Sequence, residues 1–228
     1  MQALRRIPAA SLGLALALLV APATAQQQQQ QREHGRLFPP QDLGVLEGPD
    51  RELWQRPEQI MDHLGIGEGS VVADIGAGGG WFTIRLARRV GPNGRVYAQD
   101  IQPEMIGAIE RRVEREGLSD RVETVLGTPE DPQLPAPVDV VLIVDTYHEM
   151  DDPRTLLRNV RKSLKPGGRI GIVEHTKEGH GPGPPMEERV DPERIIQDAE
   201  AAGLRLVSRG NFLRYQYLLE FMVAPGSE

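Results

Sequence analysis

A glycine-rich turn after the first predicted strand carries the pattern most suggestive of chemistry. The β-branched run Val71–Ile75 leads into a turn with glycine at alternate positions 76, 78 and 80. Glycine has no Cβ, so a ligand can approach the main chain closely at such a turn. A dinucleotide fingerprint would need a further glycine where Trp81 stands, because that glycine permits close packing of the following helix. The turn therefore predicts a ligand other than a dinucleotide.

Polar side chains also follow the next predicted strands. Asp100 ends the run Val96–Asp100, twenty residues beyond Gly80, and a carboxylate there can accept hydrogen bonds from both hydroxyls of a ribose. Thr128 and its neighbours follow a third run, and Asp145 follows a fourth, Val138–Val144. Ligands bind outside the carboxyl ends of parallel strands. We therefore expect these residues to line one edge of a sheet.

The elements that would position these residues alternate along the chain from Pro57 onward. Short β-branched runs alternate with segments of helical period, which Pro or Asp opens and Gly closes. The aliphatic run Val140–Val144 predicts a central strand covered on both faces. No helix separates the last two predicted strands, 204–208 and 215–224, so we expect them to be antiparallel. The expected fold is Rossmann-like α/β: a doubly wound, mostly parallel seven-stranded sheet with an antiparallel last strand and helices on both faces.

The order of these motifs resembles that of class I S-adenosylmethionine-dependent methyltransferases. The shared features are the acid-x-Gly-x-Gly-x-Gly turn, the acid after the second strand, the segment after the fourth strand, and the sequence Leu164-Lys165-Pro166-Gly167-Gly168. The resemblance implies S-adenosyl-L-methionine as cofactor. It assigns cofactor binding to Asp74, Gly76, Ala77, Gly78, Gly80, Asp100, Ile101, Thr128, Pro129, Glu130 and Asp145. Thr128 departs from the family, which often has an acid there to hold the adenine amino group.

The resemblance further implies in-line transfer of a methyl group to a small-molecule acceptor, for which alignment of the reacting atoms matters most. If the acceptor must lose a proton, His148 is the first candidate for general base, because it follows the fourth strand. His175, after the fifth strand, is the second candidate, and Tyr147 lies at the same edge. Each histidine has an alternative interpretation as a loop side chain bonded to the backbone.

Composition excludes several other classes of function. The 228-residue chain has 26 Lys and Arg against 33 Asp and Glu, a balance that disfavours a broad phosphate-binding face and hence nucleic acid as partner. The absence of cysteine excludes disulfides and thiolate chemistry. It also excludes arsenite as acceptor, since that methylation uses cysteine ligands. No His-x-His or His-Glu-x-x-His spacing is present, so we expect no metal site.

The first 25 residues read as a cleavable secretory signal. Arg5 and Arg6 precede an apolar segment, Ala9 to Val20, and Ala23-Thr24-Ala25 fits a small-residue cleavage site. The apolar segment is shorter than the roughly 20 residues that a permanent membrane anchor needs. We therefore predict cleavage after Ala25, a polar Gln-rich arm over 26–48, a single domain over 49–228, and a periplasmic or secreted protein.

Two segments border the predicted cleft and could cover it. They are the arm before Trp54 and the Gly/Pro-rich loop 177–185, whose composition equally fits a solvated connection. S-adenosylmethionine is made in the cytoplasm, so an exported methyltransferase would work away from the source of its cofactor. A noncatalytic binding protein that retains the fold therefore stays open as an alternative. A nucleotide-dependent oxidoreductase is disfavoured by Trp81.

Overall fold

The computed structural model describes residues 37–226. Seven strands form one sheet in the order β3-β2-β1-β4-β5-β7-β6. Neighbouring strands from β3 to β5 pair in parallel, whereas β7 is antiparallel to both β5 and β6. The strands are Val71–Ile75, Arg95–Asp100, Val122–Leu126, Val138–Val144, Leu164–His175, Leu204–Gly210 and Gln216–Val223. The predicted fold class is confirmed.

Helices cover both faces of this sheet. The helices α1 to α6 are Arg51–Gln55, Pro57–His63, Trp81–Val90, Pro103–Arg115, Pro153–Lys162 and Pro192–Ala201. Proline occupies the first turn of four of them, where its missing N–H costs nothing. Buried side chains of α2, α3 and α4 pack on one face of the sheet, and those of α5 and α6 pack on the other. Strand β4 lies between β1 and β5, and its aliphatic side chains belong alternately to the two packed faces.

The sheet places the predicted site at its topological switch point. The chain leaves β1 toward β2 on one side, while β4 pairs with β1 on the other. The crevice that opens between the carboxyl ends of such strands is the usual ligand site of open α/β sheets. The glycine turn after β1 and the segment after β4 therefore face each other.

Two elements differ from the sequence expectation. The sequence predicts that Pro-Gly-Gly at 166–168 ends a helix and that the next strand covers Arg169 to Glu174. Strand β5 instead begins at Leu164, which pairs with Val138 before a register shift, so the Pro-Gly-Gly sequence lies inside the strand. The described part of the predicted polar arm contains a 3-10 helix, Pro40–Glu47. A second 3-10 helix, Tyr147–Glu149, follows β4.

Residues 1–25, with the predicted signal and its cleavage site, and the Gln-rich run that follows them lie outside the described residues. Within residues 37–226, no helix has the length and apolar character that crossing a membrane requires.

Candidate active site

The backbone of the glycine turn is left-handed at three glycines, where no side chain covers the main chain. Gly76, Gly78 and Gly80 all have positive φ, at 68°, 56° and 76°, a conformation that glycine adopts without steric cost. A Cβ on Gly76 would collide with the side chain of Thr146, whereas one on Gly78 would meet no atom within 4 Å. The Ala77 N–H bonds the Gln99 carbonyl at 2.9 Å and ties the turn to β2. The turn is thus packed at Gly76 and open to a ligand at Gly78.

Asp100 links this turn to the end of β2. Its carboxylate accepts hydrogen bonds from the backbone N–H of Gly78 at 2.9 Å and of Gln102 at 3.0 Å. Burial raises the pKa of Asp100 above its ordinary value, although these N–H groups favour the charged form. Ile101 lies between Asp100 and Gln102 in the sequence. Asp100 is therefore fixed beside the open part of the glycine turn, where the resemblance places the ribose.

Asp74 lies beneath the turn, on the last residues of β1. Its side chain is buried and accepts a 2.7 Å hydrogen bond from the Thr83 hydroxyl of α3. Burial raises the pKa of Asp74 to about 6, against the hydrogen bond from Thr83 and the charge of Arg51. Asp74 thus joins strand to helix at the turn.

The loop after β3 gives a different arrangement at the predicted adenine end. The Thr128 hydroxyl accepts a 3.1 Å hydrogen bond from the N–H of Asp131 and so belongs to a local turn. Pro129 and Glu130 are exposed, and the Glu130 carbonyl accepts a bond from Asn159 of α5. Threonine thus stands at the family's acid position, and the acids of this turn, Glu130 and Asp131, are exposed.

His148 is held by a buried acid that sequence reasoning did not assign to it. Glu174 lies near the end of β5, fully buried, and its two oxygens are 3.2 and 3.0 Å from His148 Nδ1. Burial alone would lower the pKa of His148, but the hydrogen bond and charge of Glu174 outweigh it and raise that pKa. The side chain is only 9% exposed. The pair has the geometry of a base oriented by a third group.

Tyr147, the neighbour of His148, points into the other packed layer. Its hydroxyl donates a 2.9 Å hydrogen bond to Asp198 of α6, a buried carboxylate that also pairs with Arg154 and Arg194. Burial and this partner raise the pKa of Tyr147 far above its usual range. This contact gives Tyr147 a structural role rather than the catalytic role predicted from the sequence.

The Asp145 carboxylate contacts side chains from three elements, α1, β5 and β7. The residue has a positive φ of 52°, which is uncommon for a residue other than glycine. Its carboxylate accepts hydrogen bonds from Gln216 at 2.6 Å and Gln55 at 3.0 Å, and lies 3.2 Å from His175 Nε2 and 3.6 Å from Arg51. Although burial raises it, the bond from His175 and the nearby positive charge hold the pKa of Asp145 below its usual value.

Two acid–histidine pairs therefore join β4 to β5, and they cross. Asp145, at the end of β4, contacts His175 of β5, while Glu174 of β5 contacts His148 beyond β4. Successive strand residues point to opposite faces, so the neighbours Glu174 and His175 serve pairs on opposite faces of the sheet. The strand-end pattern could locate all four residues, but it carried no signal for which acid meets which histidine.

The described part of the arm lies across the cleft. The Phe38 N–H donates to Glu149 at 3.2 Å, and the Phe38 carbonyl accepts from Gln102 at 3.2 Å. Leu43 lies against Gly79, and Glu47 pairs with Arg112 of α4. The segment thus contacts both the glycine turn and the loop after β4.

Sequence reasoning missed the residues of α1 at the site. Arg51 and Gln55 both reach Asp145, and the Arg51 guanidinium lies 4.3 Å from the centre of the Trp81 ring. Trp81 is also covered by Arg85 and packs in the core. Among residues 37–226, no group of three or more His, Asp or Glu side chains is placed to hold a metal ion.

Comparisons with known proteins agree with this geometry. Residues 72–168 match a family described as a methyltransferase domain. The ubiquinone/menaquinone biosynthesis C-methyltransferase UbiE of Ectopseudomonas mendocina is 30% identical over 174 residues, or 75% of this chain and 65% of that protein. A probable cobalt-precorrin-6B C(15)-methyltransferase (decarboxylating) of Methanothermobacter thermautotrophicus is 36% identical over 108 residues, or 47% of this chain and 53% of that protein. The chain thus spans between half and two thirds of the length of these curated relatives.

A solved structure matches over a greater share of its length. A SAM-dependent methyltransferase from Aquifex aeolicus has a TM-score of 0.77 and 29% identity, covering 82% of this chain and 100% of that one. Residues 72–168 are thus similar to a methyltransferase domain, and the fold is similar to that of a SAM-dependent methyltransferase.

Proposed function

We propose that the protein transfers a methyl group from S-adenosyl-L-methionine to a small-molecule acceptor. The observation that carries the proposal is the open main chain at Gly78, hydrogen-bonded to Asp100 at the β1/β4 switch point. When bound, the cofactor supplies an electrophilic methyl group on a sulfonium centre. The matched domain and relatives support this chemistry.

The residues present fit this cofactor at its ribose and methionine ends. Open space at Gly78 admits a ligand to the main chain, and Asp100 presents carboxylate lone pairs beside it. Asp74 and Asp145 add negative charge near the turn, which suits a cationic ligand. At the adenine end, the local turn at Thr128 offers main-chain groups and the exposed carboxylate of Glu130.

His148 serves in this proposal as the base that takes a proton from the acceptor. Glu174 fixes the ring through Nδ1 and stabilises the positive charge that the ring gains. Nε2, which lies 3.9 Å from Glu149 Oε1, is then the atom that accepts the proton. Only the neutral imidazole can act, so the rate should rise with pH through the raised pKa of His148. The chain's other task is to align the acceptor, which α1, the β4–β5 ends and the described arm surround.

Cofactor binding and methyl transfer test the proposal separately. Calorimetric titration should show binding of S-adenosyl-L-methionine, weakened at least tenfold in Asp100→Asn, since the amide replaces one acceptor oxygen by a donor. Transfer of labelled methyl groups from the cofactor to the small-molecule fraction of a cell extract should follow. No cofactor binding up to millimolar concentration would remove the proposal.

Substitution of His148 tests its role. His148→Gln should lower the rate about 100-fold or more and leave cofactor affinity unchanged. Glu174→Gln removes the charge that raises the pKa of His148, so its pH–rate profile should move to lower pH. His180→Gln, an exposed histidine of loop 177–185, is the matched control and should behave as wild type. An unchanged profile in Glu174→Gln would contradict this assignment.

A noncatalytic binding protein is the second candidate, and Thr128 favours it because the family's acid is replaced there. This candidate predicts cofactor binding without labelled product from any extract. We also propose export from the sequence of residues 1–25, which places either activity outside the cytoplasm.

A further inference from the structure

His175 carries an unusual buried nitrogen. The side chain is 2% exposed, and its Nδ1 has no hydrogen-bond partner in the described part of the chain. Nε2 lies 3.2 Å from an Asp145 oxygen and 3.5 Å from the Gln216 amide nitrogen. Buried polar atoms without a partner are rare and costly. The site therefore maintains this nitrogen against its desolvation cost.

The contacts of Nε2 decide which atom carries the proton. Donation from Nε2–H to the Asp145 carboxylate is a charge-assisted bond, and both oxygens of that carboxylate accept from amides as well. The opposite tautomer would leave a buried Nδ1–H unsatisfied and Nε2 facing a carboxylate lone pair. Nδ1 is thus an unprotonated acceptor, held in place by Asp145.

Loop 177–185 is built to cover this ring. Gly183 has φ of 109°, and a Cβ there would lie 2.6 Å from both Cγ and Nδ1 of His175, so only glycine fits over the ring. The Arg189 guanidinium, 6% exposed, donates to the carbonyls of Thr176, Pro182 and Pro184 at 2.8, 3.1 and 3.0 Å. Two of these carbonyls, those of Pro182 and Pro184, belong to the loop, so Arg189 holds the loop over the ring.

Aromatic rings complete the enclosure. The ring centres of Trp54 and His175 are 5.8 Å apart, and those of Trp54 and Tyr215 are 6.3 Å apart. Tyr215 also packs against Gly181 of the same loop. The buried acceptor atom thus lies among apolar walls, where a hydrogen bond gains strength from the low dielectric.

We propose that His175 Nδ1 recognises a hydrogen-bond donor of the methyl acceptor, a hydroxyl or N–H group, and that Asp145 sets its tautomer while loop 177–185 closes over the pair. The inference rests on the proposed methyltransferase function and adds a specificity determinant to it. His175 binds and orients the acceptor on one face of the β5 end, while His148 acts from the other. Molecules that lack such a donor leave Nδ1 unpaired and are rejected.

Three variants separate the two ring nitrogens. His175→Gln keeps an amide N–H at the Nε2 position, toward Asp145, and has no acceptor at the Nδ1 position. His175→Asn keeps a polar oxygen at the Nδ1 position and loses the reach to Asp145. His180→Gln, on the exposed part of the same loop, is the matched control.

The readout is labelled methyl transfer measured against increasing amounts of cell extract. His175→Gln should raise the half-saturating amount at least tenfold, change the maximal rate much less, and leave affinity for S-adenosyl-L-homocysteine unchanged. His175→Asn should recover part of the loss, and His180→Gln should match wild type. The proposal is overturned if His175→Gln retains the wild-type half-saturating amount, or if its cofactor affinity falls by the same factor.

A spectroscopic measurement distinguishes failure of this inference from failure of the proposed function. In protein labelled with ¹⁵N-histidine, the His175 Nδ1 resonance should be that of the nitrogen without a proton and should move when the small-molecule extract is added. This movement needs no turnover, so it tests recognition even if no methyl group is transferred. A protonated Nδ1, or no movement on addition of extract, refutes the inference.

Discussion

At the scale of single residues, the site combines two buried acids, Asp74 and Asp145, whose pKa values shift in opposite directions because their partners differ. Asp74 has one strong side-chain donor, Thr83, and burial raises its pKa to about 6. Asp145 has amide, imidazole and guanidinium partners, and its pKa is held low. The number and charge of the partners therefore decide which acid stays ionised.

Substitution of Asp74 tests this balance. Because its folded pKa is raised above the ordinary 3.8, ionisation destabilises the native state as pH rises through about 6. Asp74→Asn should thus unfold later than wild type above pH 6, by an amount on the order of 2 kcal/mol, and the difference should vanish at low pH. Thermal melts across pH check this, with the exposed Asp151→Asn as control. A constant difference at all pH values would contradict the titration of Asp74.

At the scale of elements, the close approach of the β1 and β4 ends depends on one missing methyl group. Gly76→Ala should cost several kcal/mol, since its Cβ meets Thr146 and its φ is left-handed. Gly78→Ala carries only the backbone cost of about 1–2 kcal/mol, because its Cβ enters open space. Urea unfolding measures both variants. Equal losses would show that Thr146 does not pack as described.

The elements themselves were largely predictable, and their contacts were less so. The spacing of apolar residues and the signals for helix ends predicted all seven strands, because a buried aliphatic run such as Val140–Val144 has few alternatives to a central strand. The 3-10 helix Pro40–Glu47 carries no such period, and its docking depends on tertiary contacts such as Leu43 on Gly79. The pairing of Glu174 with His148 depends on strand direction and loop shape, which a local pattern does not encode.

At the scale of the whole molecule, the proposed cleavage after Ala25 would make the protein more acidic. The formal net charge is −7, and removal of residues 1–25, with Arg5 and Arg6 and no acid, leaves 24 basic against 33 acidic residues, or −9. Such an acidic protein is repelled by nucleic acid, in keeping with a small-molecule acceptor.

Export makes a direct prediction about the mature N terminus. Protein recovered from the periplasm or medium should begin at Gln26, as read by N-terminal sequencing or intact mass. Replacing Ala23 and Ala25 with Phe should block cleavage, since the site requires small residues, whereas Ala9→Leu in the apolar segment should not. Full-length protein confined to the cytoplasm would refute export.

The alternation of side chains along strand β5 limits which mutations the strand can tolerate. Glu174 and His175 stand side by side and face opposite layers, so the deletion of one residue between Arg169 and Val173 would exchange their directions. Both histidines would lose their acids in a single event, and Gly183 would then cover a glutamate. We therefore expect insertions and deletions in this strand to disrupt the site, whereas substitutions at its end keep the strand register.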